Sequence, residues 1–220
     1  MTNKELVKLS ASMLGSALEC PACFWRDYNV PLAFHLPGVL NKMDRLEKEY
    51  YDQYRNKTPP ALRGKLKEKL VDMKTAEKLR EGLKYFDKEL NAVLSGKMDD
   101  CFVNEKGFLV PMDNKTATPK DEKEDKFLQA YQTQLDTYTF LLQKHGYKTA
   151  DYGYLIYYTP ESGTPDKGII FRAEPKRLSM HPKSAIKVFK YAVNLVRKPK
   201  IPGSHKDCET CQWLKALGEA

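Results

Sequence analysis

The chain has 220 residues, of which 41% are hydrophobic, and a formal net charge of +8 at pH 7. This length and apolar content are sufficient for one hydrophobic core, so we expect a single domain over residues 1–220. No apolar run reaches the roughly 18 residues of a membrane span and the N-terminus lacks the apolar stretch of a signal peptide, so the sequence predicts a cytoplasmic protein with no membrane partner.

The first half of the chain is predicted to contain three helices. Apolar periodicity and helix-boundary residues place them over residues 12–19, 39–57 and 75–90. One face of the second helix collects charged side chains at steps of three and four, namely Asp44, Lys48, Asp52 and Arg55. Such a face is typical of solvated ion pairs between neighbouring turns.

Carboxylates lie at the ends of the short strands that follow. Apolar segments predict strands over residues 90–95, 101–103 and 108–110. The last two flank a turn in which Gly107 can adopt positive φ, so we expect a hairpin. This hairpin would bring Asp99 and Asp113 close together at one end of the sheet. A mobile loop is expected over residues 116–125.

These carboxylates, together with a nearby lysine, predict phosphate-ester hydrolysis. Mg²⁺ or Mn²⁺ prefers oxygen ligands, which Asp99 and Asp113 offer. Lys115 is expected to orient or deprotonate the attacking water, or to stabilise the charge that builds on the phosphate. The helix predicted over residues 127–145 presents Gln134 and Tyr138 on one face, where Gln134 would orient Lys115 or a phosphate.

The last third of the chain is rich in positive charge. Strands are expected over residues 152–158 and 168–172 and a helix over residues 184–196. Residues 175–206 contain nine Lys or Arg and no acid, and residues 63–80 contain seven against three acids. Basic surface binds nucleic acid through counterion release, although it also serves as a solubilising face. The expected partner is DNA, single- or double-stranded, and no protein partner is indicated.

Two C-x-x-C pairs occur near the ends of the chain. Cys20 and Cys23 form the first pair and Cys208 and Cys211 the second. Four thiolates match a tetrahedral site for Zn²⁺ or an iron–sulfur cluster, and the spacing taken alone fits Zn²⁺. We expect the site to join the two ends of the chain. Cys101, inside a predicted strand, is expected to be a core residue.

The ordered motifs resemble those of the RecB-like branch of the PD-(D/E)XK nuclease superfamily. They are Gly96-x-x-Asp99, Asp113-x-Lys115 and Gln134-x-x-x-Tyr138, after an opening of Leu9-Ser-Ala-Ser-Met-Leu14 and Cys20-Pro-Ala-Cys-Phe24. The resemblance covers residues 9–213. It implies an α/β fold with a small mixed β-sheet flanked by helices, a restriction-endonuclease-like core. It also implies Asp99 and Asp113 as metal ligands and Lys115 as the catalytic lysine.

The sequence departs from this family pattern in two places. RecB-like nucleases often carry a metal-binding histidine on the helix before the sheet, where Asp44 stands here, and His35 lies upstream of that helix. Asp44 is therefore either a metal ligand or part of the ion-paired face. Iron–sulfur members usually place one cysteine near the N-terminus and three near the C-terminus, whereas this chain has two and two. The resemblance favours an iron–sulfur cluster and the spacing alone fits Zn²⁺, so both stay open.

Together these features predict a divalent-metal-dependent deoxyribonuclease. Asp99 and Asp113 would hold the cation, with the Asn114 carbonyl and Asp44 completing its shell. The alternative is a basic nucleic-acid-binding module that retains the fold and the cysteine site without cutting. A metal-stapled protein-interaction domain is a third interpretation, in which the basic surface has no function.

Overall fold

Helices flank two β-sheets in the computed structural model, which describes residues 5–31, 38–118, 127–164 and 166–218. In chain order the helices are α1 (Ala11–Glu19), α2 (Pro21–Asn29), α3 (Gly38–Asp52), α4 (Met73–Glu81), α5 (Leu128–Lys144), α6 (Pro182–Val196) and α7 (Glu209–Ala216). The strands are β1 (Val7–Ser10), β2 (Lys69–Leu70), β3 (Leu83–Asp87), β4 (Ala92–Gly96), β5 (Asp100–Val103), β6 (Leu109–Lys115), β7 (Tyr152–Thr164) and β8 (Gly168–Ser179).

Both sheets are mixed, which confirms the predicted fold class. The smaller sheet has the order β1-β4-β3, with β1 parallel and β3 antiparallel to β4. The larger sheet has the order β2-β5-β6-β7-β8, in which β6 and β7 are parallel and the other neighbours antiparallel. The parallel pair runs in register from Met112 and Tyr154 to Lys115 and Tyr157.

The larger sheet separates two hydrophobic clusters, because successive residues of a strand point to opposite faces. Leu155 and Tyr157 of β7 belong to the cluster that includes α1, α5 and α6. Tyr154 and Ile156 belong to the second cluster, which includes Tyr51 of α3. The sheet is therefore covered by α5 on one face and by α3 on the other.

The element boundaries differ from the prediction where a backbone turn interrupts a helical pattern. The helix expected over residues 75–90 ends at Glu81, because Gly82 has a φ of +107° that continues no helix. The next residues form β3, which pairs with β4. Asn91, at a φ of +43°, turns the chain between these strands, so the strand expected at residue 90 begins at Ala92.

Tertiary pairing extends other elements beyond their local signals. β7 and β8 are longer than predicted and pair along almost their whole length. β1 was not predicted, although its four residues alternate between apolar and polar side chains, and it pairs in parallel with β4. α3, in contrast, is shorter than predicted, because it ends at Asp52, five residues before the predicted boundary.

Two predicted features lie wholly or partly outside the described residues. His35 is outside them, and so are residues 119–125 of the loop that was expected over residues 116–125. Within the described ranges, no helix combines the length and apolar character that crossing a membrane requires.

Candidate active site and cysteine cluster

The C-terminal end of β6 places three successive side chains on alternating sides of the sheet. Asp113 and Lys115 face α5, where both contact Gln134. Asn114 faces α3, where its Oδ1 accepts a hydrogen bond from the Tyr51 hydroxyl at 3.3 Å. The two-residue spacing of Asp113 and Lys115 therefore puts a carboxylate and an ammonium side by side, with Lys115 Nζ 2.5 Å from Asp113 Oδ2.

The hairpin of β5 and β6 brings Asp99 to the same end of the sheet. Its register pairs Asp100 with Met112, so Asp99 lies next to the end of β6. Asp99 Oδ2 accepts a hydrogen bond from the main-chain N–H of Asn114 at 3.2 Å. Gly107 turns the hairpin with a φ of +75°. The structure thus places Asp99, Asp113 and Lys115 together, in the arrangement expected of the hairpin.

Gln134 and Tyr138, one turn apart on α5, hold this cluster from one face. Gln134 Nε2 donates to Asp113 Oδ1 at 2.9 Å and to the Tyr138 hydroxyl at 2.8 Å, while its Oε1 accepts from Lys115 Nζ at 3.3 Å. The Tyr138 hydroxyl donates to the main-chain oxygen of Lys97 at 2.8 Å. One amide therefore orients both Asp113 and Lys115.

Gly96 allows α5 to lie this close to the site. A Cβ at position 96 would lie 2.7 Å from Leu141 Cδ1 and 3.1 Å from Tyr138 Cδ1, both shorter than van der Waals contact. Any side chain there would force the side chains of Leu141 and Tyr138 to shift. The glycine of the Gly96-x-x-Asp99 motif therefore has a packing role.

The environment of Asp113 disfavours its charge. The residue is 3% exposed, and burial raises the pKa of Asp113 above its ordinary value, with a contribution from the negative charge of Asp99. The ammonium of Lys115 acts in the opposite direction. That ammonium also lies 4.2 Å from the centroid of the Tyr131 ring, whose face attracts a cation. The negative charge of Asp99 next to a desolvated Asp113 favours a bound cation.

Glu47 of α3 is a third carboxylate of the site, and the sequence-based prediction did not include it. It is 7% exposed, and burial raises the pKa of Glu47 to about 7, with the negative charges of Asp99 and Asp44 as further causes. Its Oε1 is buried and has no hydrogen-bond partner among the described residues, although the side chains of Asn114 and Thr116 act on the carboxyl group and partly offset the rise of its pKa. Glu47 lies one turn before the buried Tyr51, and that spacing was the available signal. An unpartnered buried carboxylate oxygen beside Asp99 fits a hard divalent cation.

Asp44 occupies the outer side of the same helix. Its side chain is 51% exposed and forms an ion pair with Lys48, whose Nζ lies 2.7 Å from Asp44 Oδ1. Lys48 Nζ also lies 3.5 Å from Asp99 Oδ1. The structure therefore places Asp44 next to the site through Lys48, whereas Glu47 reaches the site from the buried face.

A buried ion-pair network supports the site from behind. Asp100, which is fully buried, pairs with Arg55 at 2.5 Å and with Arg80 at 3.0 Å. Both guanidinium groups also pair with Asp52 at the end of α3. The network thus joins α3 and α4 to β5 next to Asp99.

The four cysteines outside the strands form one cluster, which confirms that the C-x-x-C pairs join the two terminal regions. Their sulfur atoms all lie within 4.8 Å of one another. Cys20 precedes α2 as its N-cap residue and Cys23 lies in its first turn, and Cys208 and Cys211 have the same positions in α7. Both helix N-termini therefore point their partial positive charge at the thiols.

N–H groups donate to these sulfur atoms as well. Arg26 Nη1 lies 3.5 Å from Cys211 Sγ, and the main-chain N–H of His205 donates to Cys20 Sγ at 3.5 Å. Such bonds stabilise the negative charge of metal-bound thiolates. Cys101 lies apart from the cluster, fully buried in the hydrophobic core as expected.

The basic segment of residues 175–206 covers the end of β8 and all of α6. The apolar face of α6 is buried in the cluster that includes α1 and α5, while Lys183, Lys187 and Lys190 are exposed. The main-chain N–H of His181, just before α6, donates to Asp136 of α5 at 2.6 Å. α6 therefore begins beside the stretch of α5 that carries Gln134.

Comparison with known proteins gives one family match. A family model described as the PD-(D/E)XK nuclease superfamily matches residues 35–216. Among solved structures, the chain is similar to one titled "Crystal structure of SSO0001", with 16% sequence identity and a TM-score of 0.45 over 89% of this chain and 80% of that chain. No match is found among the curated proteins.

Proposed function

The chain belongs to the PD-(D/E)XK nuclease superfamily, and on this premise we propose that it is a divalent-metal-dependent deoxyribonuclease of the RecB-like type. The observation that carries the proposal is the convergence of three carboxylates and one ammonium at the C-terminal end of β6. They come from separate elements: Glu47 from α3, Asp99 before β5, and Asp113 and Lys115 from β6. Glu47 and Asp113 are buried carboxylates whose pKa values are raised by burial and by neighbouring negative charge, a cost that a merely structural cluster would not require.

Glu47, Asp99 and Asp113 are the residues that would hold Mg²⁺ or Mn²⁺. All offer carboxylate oxygens, and the repulsion among them is relieved by a cation. The main-chain carbonyl of Asn114 is a further candidate ligand. When bound, the cation would supply positive charge next to the scissile phosphate and the attacking water.

Lys115 and Gln134 have distinct roles in this proposal. The Lys115 ammonium is fixed between Asp113, Gln134 and the Tyr131 ring, where it can stabilise the charge that develops on the phosphate and orient the attacking water. Gln134 contacts both Asp113 and Lys115 and so sets their relative position. Because its amide is already engaged, Gln134 is a positioning residue.

The cysteine cluster is proposed to hold one structural Zn²⁺. Sulfur–sulfur distances of 3.5 Å for Cys23 with Cys208, 3.5 Å for Cys23 with Cys211 and 3.7 Å for Cys20 with Cys211 support a single ion. Four thiolates bound tetrahedrally at 2.3 Å are separated by about 3.8 Å. An iron–sulfur cluster places several irons and sulfides between the thiolates, whose sulfur atoms must then lie farther apart. The spacing therefore favours zinc over the cluster.

The enzyme proposal is tested by incubating the purified protein with internally labelled DNA. Linear single-stranded, linear duplex and closed circular substrates are compared with and without Mn²⁺, and an RNA of the same sequence is included. We expect Mn²⁺-dependent cleavage of DNA by the wild type. Asp113→Asn and Lys115→Met should each lower the cleavage rate by at least about a thousandfold, because each removes a group that acts in the transition state. Both variants should retain their affinity for DNA.

The alternative function predicts a different pattern. If the metal-replete wild type binds DNA but cleaves neither DNA nor RNA, the protein is the non-catalytic binding module. Equal activity of Asp113→Asn and wild type would mean that the cleavage comes from a contaminant or from another site. Cleavage of RNA alone would reject the deoxyribonuclease assignment.

A further inference from the structure

Lys48 contacts the candidate active site from the side opposite to Lys115. Its Nζ lies 2.7 and 2.8 Å from the two carboxylate oxygens of Asp44 and 3.5 Å from Asp99 Oδ1. The side chain is 29% exposed, so the ammonium is partly desolvated while still open to solvent. Lys48 belongs to none of the sequence motifs.

The ammonium of Lys48 contacts the oxygen of Asp99 that accepts no main-chain hydrogen bond. Asp99 Oδ2 already accepts the Asn114 N–H, and Oδ1 is the oxygen that faces Lys48. Each of the two sheet-end aspartates is therefore paired with one lysine, Asp99 with Lys48 and Asp113 with Lys115. A divalent cation that binds Asp99 must compete with the Lys48 ammonium for the same oxygen, and its charge repels that ammonium.

Asp44 provides the place to which Lys48 can withdraw. The pair is separated by one helical turn, and both oxygens of Asp44 contact Nζ, so the ammonium stays beside the site without Asp99. The four-carbon stem of lysine allows Nζ to move over several ångströms around a fixed backbone. Its three N–H donors suit a phosphate oxygen as well as they suit a carboxylate.

We propose that Lys48 is a second phosphate-binding lysine of the site, which neutralises Asp99 in the absence of metal and contacts a backbone phosphate of the nucleic acid once a divalent cation binds. Asp44 then serves to retain Lys48 and is not a metal ligand. The inference rests on the proposed function, because it assigns a substrate contact at the same site. It explains why an exposed aspartate one turn before Glu47 is paired with the partly buried lysine that directly follows Glu47.

The test compares Lys48→Met with Arg45→Met. Arg45 is a matched control because it lies on the same helix in the same kind of pair, with Glu49 at 3.6 Å, and is solvent-exposed. Two equilibrium measurements are made: Mn²⁺ affinity of the protein alone by calorimetry, and affinity for a short oligonucleotide in Ca²⁺ over a range of salt. Thermal unfolding shows that each variant is folded.

Lys48→Met should bind Mn²⁺ several-fold more tightly, since a competing cation is gone. It should bind the oligonucleotide several-fold more weakly, with a salt dependence reduced by about one unit of slope. Lys48→Arg should restore the slope, and Arg45→Met should change neither affinity. Unchanged or weaker Mn²⁺ binding by Lys48→Met, or an unchanged salt slope, would overturn the inference.

A double-mutant cycle distinguishes the two roles of Asp44. If Asp44 only retains Lys48, Asp44→Asn weakens Mn²⁺ binding in the wild type and has little effect in Lys48→Met. If Asp44 is a ligand, the loss is at least about tenfold in both backgrounds. These binding measurements do not depend on cleavage. A protein that binds without cutting would therefore reject the nuclease proposal alone, and a wild-type response from Lys48→Met would reject this inference alone.

Discussion

The guanidinium of Arg80 donates a hydrogen bond from Nε to the main-chain oxygen of Asp99, at 3.2 Å. The same side chain pairs with the fully buried Asp100 and with Asp52 of α3. One arginine thus fixes the backbone of Asp99 relative to the helix that carries Glu47. The geometry of the carboxylates therefore depends on a network that lies behind them.

Removing Arg80 should destabilise the protein. In Arg80→Met, Asp52 loses two charged hydrogen bonds and Asp100 loses one, while both keep Arg55. We therefore expect the free energy of unfolding to fall by about 2–3 kcal/mol. Arg45→Met removes an exposed pair and should cost under about 1 kcal/mol. Urea unfolding at neutral pH measures both. Equal small effects would show that the network contributes little.

The loss of stability in Arg80→Met should depend on pH because Asp52 is a titratable partner of Arg80. Burial raises its pKa, but hydrogen bonds from Arg80 and Arg55 outweigh this and hold the pKa of Asp52 below its ordinary value. A lowered pKa in the folded state gives stability that is present above the unfolded value of about 3.9 and is lost as pH falls through the folded value. The cost of Arg80→Met should therefore be constant near neutral pH and diminish below about pH 4. A cost that grows on acidification would contradict this assignment.

Glu47→Gln should weaken metal binding while stabilising the metal-free protein. The substitution removes a candidate ligand charge, so Mn²⁺ affinity should fall by at least about tenfold. It also removes a buried carboxylate whose raised pKa marks a cost of ionisation. Calorimetric Mn²⁺ titration and thermal unfolding without metal measure the two effects.

Glu49→Gln is the matched control, since Glu49 lies on the same helix and its side chain is 59% exposed. It should change neither quantity. Because Glu47 must lose its proton to bind metal, wild-type Mn²⁺ affinity should rise between about pH 6 and pH 8, and Glu47→Gln should show less of this rise. Undiminished affinity in Glu47→Gln would remove Glu47 from the ligand set.

Cys208→Ser should release the structural metal and lower the free energy of unfolding by several kcal/mol, because the site couples metal binding to folding. Elemental analysis of anaerobically purified wild type should give one zinc per chain. Cys101→Ala, outside the cluster, should retain the zinc. A brown protein with several irons per chain would show that the site holds an iron–sulfur cluster and not zinc. The absence of both metals would reject a four-thiolate metal site.

Charge reversal of the exposed lysines on α6 should weaken DNA binding. The triple variant Lys183→Glu, Lys187→Glu and Lys190→Glu should lose affinity almost equally for all DNA sequences, because contacts to phosphates do not distinguish one base from another. The salt dependence should fall by about one unit of slope for each DNA phosphate that the variant no longer neutralises. The same reversal at Lys84 and Lys88, exposed residues in and after β3, serves as the control. Equal affinity of the α6 variant and wild type at low salt would mean that these lysines only solvate the helix.

Short-range patterns in the sequence determined much of the site. The two-residue spacing of Asp113 and Lys115 places them on one face of a strand, and the four-residue spacing of Gln134 and Tyr138 places them on one face of a helix. These two spacings need only local backbone geometry, so they could be predicted. The placement of each C-x-x-C pair across a helix N-terminus was not predicted, because the sequence analysis expected no helix over α2 or α7.

The choice between Asp44 and Glu47 needed the tertiary structure. Both acids lie on α3 within one turn. The periodicity of the sequence does not show which of them faces the sheet. Packing of Tyr51 against Tyr158 and Asn114 sets that rotation and turns Glu47 inward. The pairing of β1 and β3 with β4 was decided in the same way, since a strand is defined by hydrogen bonds to residues distant in the chain. Local propensity carries no information about such partners, because it reflects only the preferences of neighbouring residues.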